Sequence, residues 1–464
     1  MDLYGIKILE NNLVNFDFDR YYKDVSLKLK SIKEKSKLEN EKIKLRHDLS
    51  KKIKIEVDFE TLKDNFINLL KDENSSKFLW LLYSKYEDDE NYLDKLSLIL
   101  KEENKVFRAG INLYKLNGWM THSLYVYQIV NYNVAKNIPI LNFNSNAKAH
   151  QYVKELHTIY ENLSSTGKFI LKVLSLIHDI GVIEDVSYHN KVGVKYVNQV
   201  LNEIGITQKN LGEFDISYND LKIILEQIIK YHTIMSLLSG ENSDECVETY
   251  FKDLLSNIPQ IEVKKEIAKI MYIFTFGDII AVNEILMDEE KFQRLKNAYT
   301  FFEEIISNKK HTRDKSKVAL ERLCDICGKK YSEVSSRIDE ILKKFNIEKK
   351  QFMENIYNVK WLHYTGPLMK TVNNLEISIH VLYEVTELVR KLDNENSLQD
   401  YIITFEPSRP SIEYDFLEVF ENGDFFKCIE FAKENKKDVT TYKKVKIEKK
   451  EDEDGKHLSI SIME

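Results

Sequence analysis

Residues 169–181 read Phe169-Ile-Leu-Lys-Val-Leu-Ser-Leu-Ile-His-Asp-Ile-Gly181, and this stretch decides the fold that we predict. Its first nine residues are almost all apolar, which predicts a buried helix, and His178–Asp179 follows where Gly181 marks a turn. An imidazole and a carboxylate mounted at a rigid helix end suit a divalent transition metal, because magnesium and calcium prefer all-oxygen ligand sets. We therefore predict a metal site here, with manganese, iron, nickel, cobalt or zinc as the ion.

The composition predicts a large, mainly α protein. The chain has 464 residues, of which 43% are hydrophobic, enough for a sizeable core with smaller appendages. Only 14 glycines and 5 prolines occur, which favours long helices over a strand-rich fold with many tight turns. The net charge of -7 argues against a broad nucleic-acid footprint, although a local lysine patch could still bind phosphates.

The four cysteines, Cys246, Cys324, Cys327 and Cys428, are too few for a disulfide framework and predict a reducing compartment. Cys324 and Cys327 have the spacing of half a zinc site, but no second pair follows, so two helix-borne thiols are the simpler interpretation. The chain has no basic and apolar leader, and no stretch approaches the run of about 18 apolar residues that a membrane span needs. We expect a soluble, cytoplasmic protein that does not bind a membrane.

Four regions are predicted along the chain. They are an N-terminal helical region (1–110), a helical core with the metal site (111–310), a helical extension (311–400) and a small α+β appendage (401–464). Hydrophobic periodicity predicts helices at about residues 21–50, 60–72, 75–86, 90–103, 119–136, 147–163, 167–179, 189–204, 218–231, 262–286 and 289–308.

Alternation of apolar and polar residues predicts a few strands. Tyr4–Leu9 and Ile53–Phe59 are the first two, and residues 441–448 with 457–463 predict a β-hairpin around a charged turn. Two prolines make Glu406–Ser411 the best linker candidate.

Three further residues are candidate metal ligands. His122 lies in the first turns of a predicted helix, and His232 closes the apolar helix that starts at about Leu221. Either histidine alone is more often a structural residue than a ligand. Asp278 lies inside a helix that is apolar almost all round, where a charge needs a partner, a proton or a metal. A hydrogen bond to a neighbouring helix would satisfy it equally well.

The order His122, His178–Asp179, Asp278 resembles the HD superfamily of metal-dependent phosphohydrolases, whose pattern is a histidine, a His-Asp doublet and a distal aspartate. The similarity covers about residues 115–290, and its most specific part is Leu-Ser-Leu-Ile-His-Asp-Ile-Gly around the doublet. His189 and His232 lie in the interval where subfamilies with two metals add histidines.

Two branches of that superfamily share features with this chain. Tyr188–Val194 and Ile229–Thr233 resemble the branch that hydrolyses diadenosine tetraphosphate. Gly118–Leu124 resembles both that branch and the HD-type 3′-5′ exoribonucleases. The resemblance therefore leaves the choice between these two branches open.

The resemblance implies an all-helical HD core with two metal-ligand sets that share Asp179. The first set adds His122, His178 and Asp278, and the second adds His189 and His232. Two ions about 3.5–4 Å apart would lower the pKa of a bridging water and make hydroxide available for in-line attack on phosphorus. The expected reaction is hydrolysis of a phosphoester or phosphoanhydride in a nucleotide or another small phosphate ester.

The chain departs from the family pattern after the doublet. Val182-Ile-Glu-Asp185 stands where the family commonly has a lysine, which removes one basic phosphate contact. Lys191 and Lys230 are candidates to replace it, as are Arg294 and Arg313 further along, although surface lysines are abundant here and most are only solvated. Glu184 and Asp185 join Asp179 as catalytic candidates, as orienting groups or proton shuttles, a solvated acidic turn being the simpler interpretation.

Two other functions remain open. An HD-type 3′-5′ exonuclease would bind single-stranded nucleic acid, with the lysine-rich residues 28–53 or the C-terminal appendage feeding the strand. A non-catalytic sensory or scaffold protein would keep the HD fold and use its long flanking regions as a partner surface. Metal content and phosphoester hydrolysis distinguish the three hypotheses.

Overall fold

A computed structural model gives the structure of the chain over much of its length. It describes residues 2–8, 55–72, 75, 79, 119–138, 140, 147–183, 189–232, 243–282, 287, 289–307, 314–363, 374–393, 397–406, 410–452 and 455–463. The lysine-rich residues 28–53, and the predicted helices at 21–50 and 90–103, lie outside the described residues, as does the predicted helix at 75–86 apart from residues 75 and 79.

The chain divides into two compact units. Unit 1 comprises Met1–Thr233 and Asp253–Ile306, and unit 2 comprises Ile234–Lys252 and Ser307–Glu464. The first two predicted regions thus fall in unit 1 apart from residues 234–252 and 307–310, and the last two fall in unit 2. The four-region division itself stays a prediction.

Unit 1 is mainly helical, as the sequence predicts. Its helices are α1 (Phe59–Asp64), α2 (Phe66–Lys71), α3 (Trp119–Gln128), α4 (Ala147–Glu161), α5 (Ser165–Ile177), α6 (His189–Glu203), α7 (Tyr218–Tyr231), the last turn of α8 (Asp244–Asn257), α9 (Ile261–Val282) and α10 (Glu289–Ile306). A π-helix, Ile129–Val134, continues α3, and a 3-10 turn, Ile180–Ile183, follows α5. The sequence did not predict α8 or the break at Asn65 between α1 and α2.

A small sheet at the start of unit 1 confirms the two predicted N-terminal strands. Its antiparallel order is β1 (Asp2–Leu3), β2 (Ile6–Ile8) and β3 (Ile55–Val57). Tyr4 and Gly5 turn between the first two strands with φ values of 57° and 83°, a conformation that glycine adopts without steric cost.

Serine caps start two of the helices that lead to the site. Ser164 begins α5, where its Oγ accepts a hydrogen bond from the Gly167 nitrogen at 3.0 Å. Glu266 of α9 accepts both the backbone N–H and the hydroxyl of Ser164, each at 2.8 Å. Ser217 caps α7 in the same way. These bonds stabilise the helix starts and tie α9 to α5.

Close packing of α9 against α3 brings two candidate ligands together. A Cβ added to Gly277 would lie 2.5 Å from Cγ2 of Val130 and 3.6 Å from the carbonyl oxygen of Val126. Glycine favours this approach, because a side chain at position 277 would require the Val130 side chain to shift. Asp278, the next residue, is thereby held beside His122.

Unit 2 combines helices with one mixed sheet. The helices are α11 (Lys315–Cys327), α12 (Tyr331–Lys344), α13 (Lys349–Asn358), α14 (Leu375–Leu392), α15 (Pro410–Glu421) and α16 (Asp424–Asn435). The strands are β4 (Trp361–His363), β5 (Tyr401–Glu406), β6 (Val439–Tyr442), β7 (Val445–Asp452) and β8 (Gly455–Ile462), in the order β4-β5-β8-β7-β6. Helices and sheet share one hydrophobic core.

The pairing pattern of that sheet goes beyond the predicted hairpin. β4, β5 and β8 are parallel neighbours, with Ile403 opposite Leu458, whereas β7 and β8 form the predicted antiparallel hairpin. The predicted strand at 441–448 is wrong as one element, because β6 ends at Tyr442 and Lys443 turns the chain with a φ of 48°. Lysine at a left-handed position gives no turn signal in the sequence.

Two other predicted features fall in unit 2. Glu406–Ser411 contains the end of β5 and the start of α15, with Pro410 at the first helical position, where its missing N–H costs nothing. Cys324 and Cys327 are borne on α11 as predicted, and all four cysteines of the chain are buried and form no disulfide bond. None of the helices in the described parts is both long and apolar enough to cross a membrane.

Candidate metal centre

Unit 1 brings all six predicted metal ligands together. His122 lies on α3 and Asp278 on α9, His178 and Asp179 follow α5, His189 begins α6 and His232 follows α7. They form two groups that could each hold a metal ion: His122, His178 and Asp278, and Asp179, His189 and His232. Residues from five helices thus meet at one place.

The first group is compact. Nε2 of His122 lies 2.8 Å from Oδ1 of Asp278 and 3.2 Å from Nε2 of His178. Nε2 of His178 lies 3.5 Å from the same Asp278 oxygen. These three atoms are therefore close enough to one another to bind the same ion.

The second group has a similar geometry. The Nε2 atoms of His189 and His232 are 3.1 Å apart. Oδ1 of Asp179 lies 3.3 Å from the first ring nitrogen and 3.6 Å from the second.

The Asp179 carboxylate lies between the two groups. Its Oδ2 is 3.5 Å from Nε2 of His122 and 3.4 Å from Nε2 of His178, whereas its Oδ1 faces His189 and His232. Each oxygen thus serves one pair of histidines. The first group gains a fourth ligand atom in this way, and the second has three.

The separations fit a shared ion in each group. Two atoms that bind one ion at about 2.1 Å with tetrahedral geometry lie about 3.4 Å apart. The distances between the imidazole and carboxylate atoms run from 2.8 to 3.6 Å. The imidazole and carboxylate donors favour manganese, iron, nickel, cobalt or zinc. The residues present therefore fit a divalent ion in each group.

The electrostatics of the cluster also favour a bound cation. Burial disfavours charge on His178, but Asp179 and Asp278 outweigh burial and raise its pKa to about 10. Burial likewise opposes charge on both carboxylates, yet the surrounding histidines hold the pKa values of Asp179 and Asp278 well below the usual value. Both carboxylates therefore stay ionised and stabilise a positive charge beside them. A bound metal ion would supply that positive charge.

Contacts behind the ligands orient the rings. Nδ1 of His232 lies 2.7 Å from the carbonyl oxygen of Ile229, so Nδ1 carries the proton and the Nε2 lone pair faces Asp179. The ring of Phe274 packs edge-on against His178 and His232, with centroids 5.0 and 6.3 Å away. One buried phenyl ring thus supports a histidine from each group.

The cluster is closed on one side and open on the other. The side chains of His178 and His232 are 0% and 3% exposed, whereas those of His189 and Asp278 are 20% and 26% exposed. Solvent therefore reaches the site over His189 and Asp278.

The other predicted site residues, Lys191, Lys230, Glu184 and Asp185, are not among the six described residues of the cluster. Lys230 has an exposed side chain, and its Nζ lies 3.6 Å from Asp253 and 4.6 Å from the ring centroid of Tyr231. Lys230 thus already forms an ion pair with Asp253. Lys191 lies in the first turn of α6, beside His189. Glu184 and Asp185 lie outside the described residues, and their catalytic role stays a prediction.

Sequence patterns gave no signal for two residues that shape the site. Phe274 looks like any other aromatic residue of an apolar helix. Asn190 follows His189 directly and is buried, with its amide bonded to the carbonyl oxygen of Lys230. Adjacency to a ligand was the only available indication for Asn190.

Comparisons with known proteins give no family for the chain: no family model, no curated protein and no solved structure matches it.

Proposed function

We propose that the chain is a metal-dependent phosphohydrolase of the HD superfamily, which cleaves a phosphoester or phosphoanhydride in a nucleotide-like substrate. One observation supports this most strongly: the two oxygens of Asp179 face two separate pairs of histidines. A structural metal site needs no shared carboxylate and is usually closed to solvent. A carboxylate shared by two ions is typical of two-metal hydrolytic sites.

The side chains of the cluster would divide the work of holding the ions. His122, His178 and Asp278 would hold one ion, and His189 and His232 the other, with Asp179 shared by both. When bound, the ions would polarise the phosphoryl oxygens and lower the pKa of water, so no protein nucleophile is needed.

The ligands differ in burial, and this difference separates a closed side of the cluster from an open one. His178 and His232 form the closed floor with Phe274 behind them, which keeps bulk water from that side of the cluster. Asp278 and His189 border the open side, where a phosphoryl group would enter. The proton of His232 stays on Nδ1 through its bond to Ile229, so this ring acts as a ligand and not as an acid.

The charge around the open side favours a small substrate. Lys191 lies in the first turn of α6 beside His189, and Lys230 lies 3.6 Å from Asp253; these are the two lysines predicted from sequence as phosphate contacts. The chain carries a net charge of -7, which opposes the long phosphate backbone of a nucleic acid. A mononucleotide or dinucleotide phosphate fits these conditions better than a polymer.

Metal analysis with a substrate screen tests the proposal. The purified chain should contain divalent metal, and with Mn²⁺ it should hydrolyse phosphomonoesters or dinucleotides faster than oligonucleotides. H178A/D179A should lose metal and activity while its far-ultraviolet circular dichroism stays close to that of the wild type. H47A/D48A deletes the same two side chains at the other His-Asp doublet and should retain both.

Two results would contradict the proposal. Full activity in H178A/D179A would exclude the cluster as the active site. Metal-free protein with no phosphoester hydrolysis under any divalent ion would leave the non-catalytic function, and preference for oligonucleotides would favour the exonuclease.

A further inference from the structure

Asn190 connects the two helices that carry the ligands of the second group. It is the second residue of α6, directly after His189, and its side chain is buried. Its Nδ2 donates a hydrogen bond of 2.9 Å to the carbonyl oxygen of Lys230. Lys230 belongs to the last turn of α7, two residues before His232.

The carbonyl that Asn190 binds is at a helix end. The last carbonyl groups of a helix have no partner within the helix and need another donor when they are buried. At the end of α7, the Ile229 carbonyl accepts from the His232 ring, whereas the Lys230 carbonyl accepts from Asn190. The Ile229 carbonyl thus orients the ring of His232, and the Lys230 carbonyl binds the start of α6 through Asn190.

The backbones around this bond are in close contact. Gly193 lies one helical turn after Asn190, and a Cβ there would be 3.0 Å from Cγ2 of Ile229. A Cβ at Gly181 would be 2.5 Å from the Gly193 nitrogen and would overlap the His189 carbonyl oxygen. The start of α6 is therefore packed against Gly181 on one side and against α7 on the other.

We propose that Asn190 is a positioning residue for the second metal ion: its bond to Lys230 fixes the spacing of His189 and His232. The Nε2 atoms of these rings are 3.1 Å apart. His189 is adjacent to Asn190 in sequence, and His232 is two residues from Lys230. The first group contains no ligand from α6 or α7. Loss of the Asn190 donor should therefore weaken the second ion and leave the first unchanged.

The inference rests on the proposed function, because it assumes that the cluster binds metal. N190L is the test variant, since leucine has a similar volume but no donor. N190D is the second variant, because a carboxylate cannot donate to the Lys230 carbonyl. N202L is the matched control, since Asn202 is an exposed asparagine of the same helix, and its Nδ2 bonds to Asn198 within α6.

Titration with Mn²⁺, followed by calorimetry and by electron paramagnetic resonance, separates the two ions without an activity assay. Wild type and N202L should bind two ions and give the exchange-coupled signal of a neighbouring pair. N190L and N190D should bind the first ion normally, which also shows that unit 1 is folded. Their second ion should bind about 10- to 100-fold more weakly, with loss of the coupled signal.

The outcomes separate the two claims. Two ions bound by N190L and N190D as tightly as by the wild type would overturn the role of Asn190 and leave the proposed function intact. Equal weakening of both ions would also overturn it, because a positioning residue acts on one group only. A wild-type protein that binds no ion would overturn both claims.

Discussion

Oδ1 of Asp179 lies 3.3 Å from Nε2 of His189, although ten positions separate the residues and a 3-10 turn comes between them. The other carboxylate oxygen faces His178 at 3.4 Å. Asp179, which follows the first-group ligand His178 in sequence, thus also contacts a histidine of the second group. The sharing of Asp179 is what makes this a candidate two-ion centre.

D179N tests this sharing. Asparagine keeps the shape of the side chain but loses the negative charge and one of two equivalent oxygens, so one group should lose a ligand and the other should keep only a neutral amide oxygen. We expect at most one bound ion, with affinity lowered by more than about 100-fold, since even partners behind a ligand contribute 10- to 100-fold. Metal analysis after dialysis measures the stoichiometry. D64N changes an exposed carboxylate of α1 and should leave it unchanged; two tightly held ions in D179N would disprove the sharing.

The two ions should bind with different affinity. The first group has four ligand atoms when Asp179 is included, and the second has three and a more exposed histidine. H189L should therefore remove the weaker ion only, whereas H122L should lower the affinity of the tighter one. Calorimetric titration with Mn²⁺ should show two steps in the wild type and one in H189L. Identical losses in both variants would show that the groups do not act separately.

Gly181 should tolerate no side chain. Its Cβ would overlap the backbone of His189 and lie 2.5 Å from the Gly193 nitrogen, and neither backbone can move without displacing α6. G181A should lower the free energy of unfolding by about 1–3 kcal/mol and weaken the second ion. G212A is the matched control, because a Cβ there meets nothing within 4 Å. Urea unfolding compares the two, and equal stability would be inconsistent with the close contact.

Lys172 should make stability depend on pH. It donates to the carbonyl oxygen of Leu70, and burial lowers its pKa to about 8 from 10.5, against the attraction of Asp72. Between pH 8 and 10.5 the unfolded chain therefore binds more protons than the native one, so the free energy of unfolding rises with pH. Relative to K172M, the wild type should gain about 2–3 kcal/mol across this range, since one pKa unit equals about 1.4 kcal/mol.

Urea unfolding at several pH values measures this difference. K209M, which changes an exposed lysine, is the control and should show no such trend relative to the wild type. A difference between wild type and K172M that stays constant between pH 8 and 10.5 would contradict the lowered pKa of Lys172.

Much of the helical fold could be predicted from local sequence. Helices α5 and α7 follow from their apolar periodicity, and each ends within a residue or two of its predicted end, because a His ligand follows the last apolar turn. Four of the six candidate ligands, His178, Asp179, His232 and Asp278, could also be identified, since each ends or interrupts an apolar helix where a polar group is unusual. His122 stood out only as a histidine at a helix start, and His189 was identified through the family resemblance.

Features that depend on tertiary contact could not be predicted in this way. The parallel pairing of β5 with β8 joins segments about 50 residues apart, and alternation within a strand does not specify its neighbour. The split between Asp179 oxygens is likewise set by the packing of α6 and α7, and Asn190 has no periodic signal.

The most direct test of the two-ion centre is an anomalous diffraction map of crystals soaked in Mn²⁺. Two peaks, one between His122, His178 and Asp278 and one between His189 and His232, with Asp179 in contact with both, are predicted. A single peak with Asp179 bound through one oxygen, or no peak at this cluster, would contradict the account.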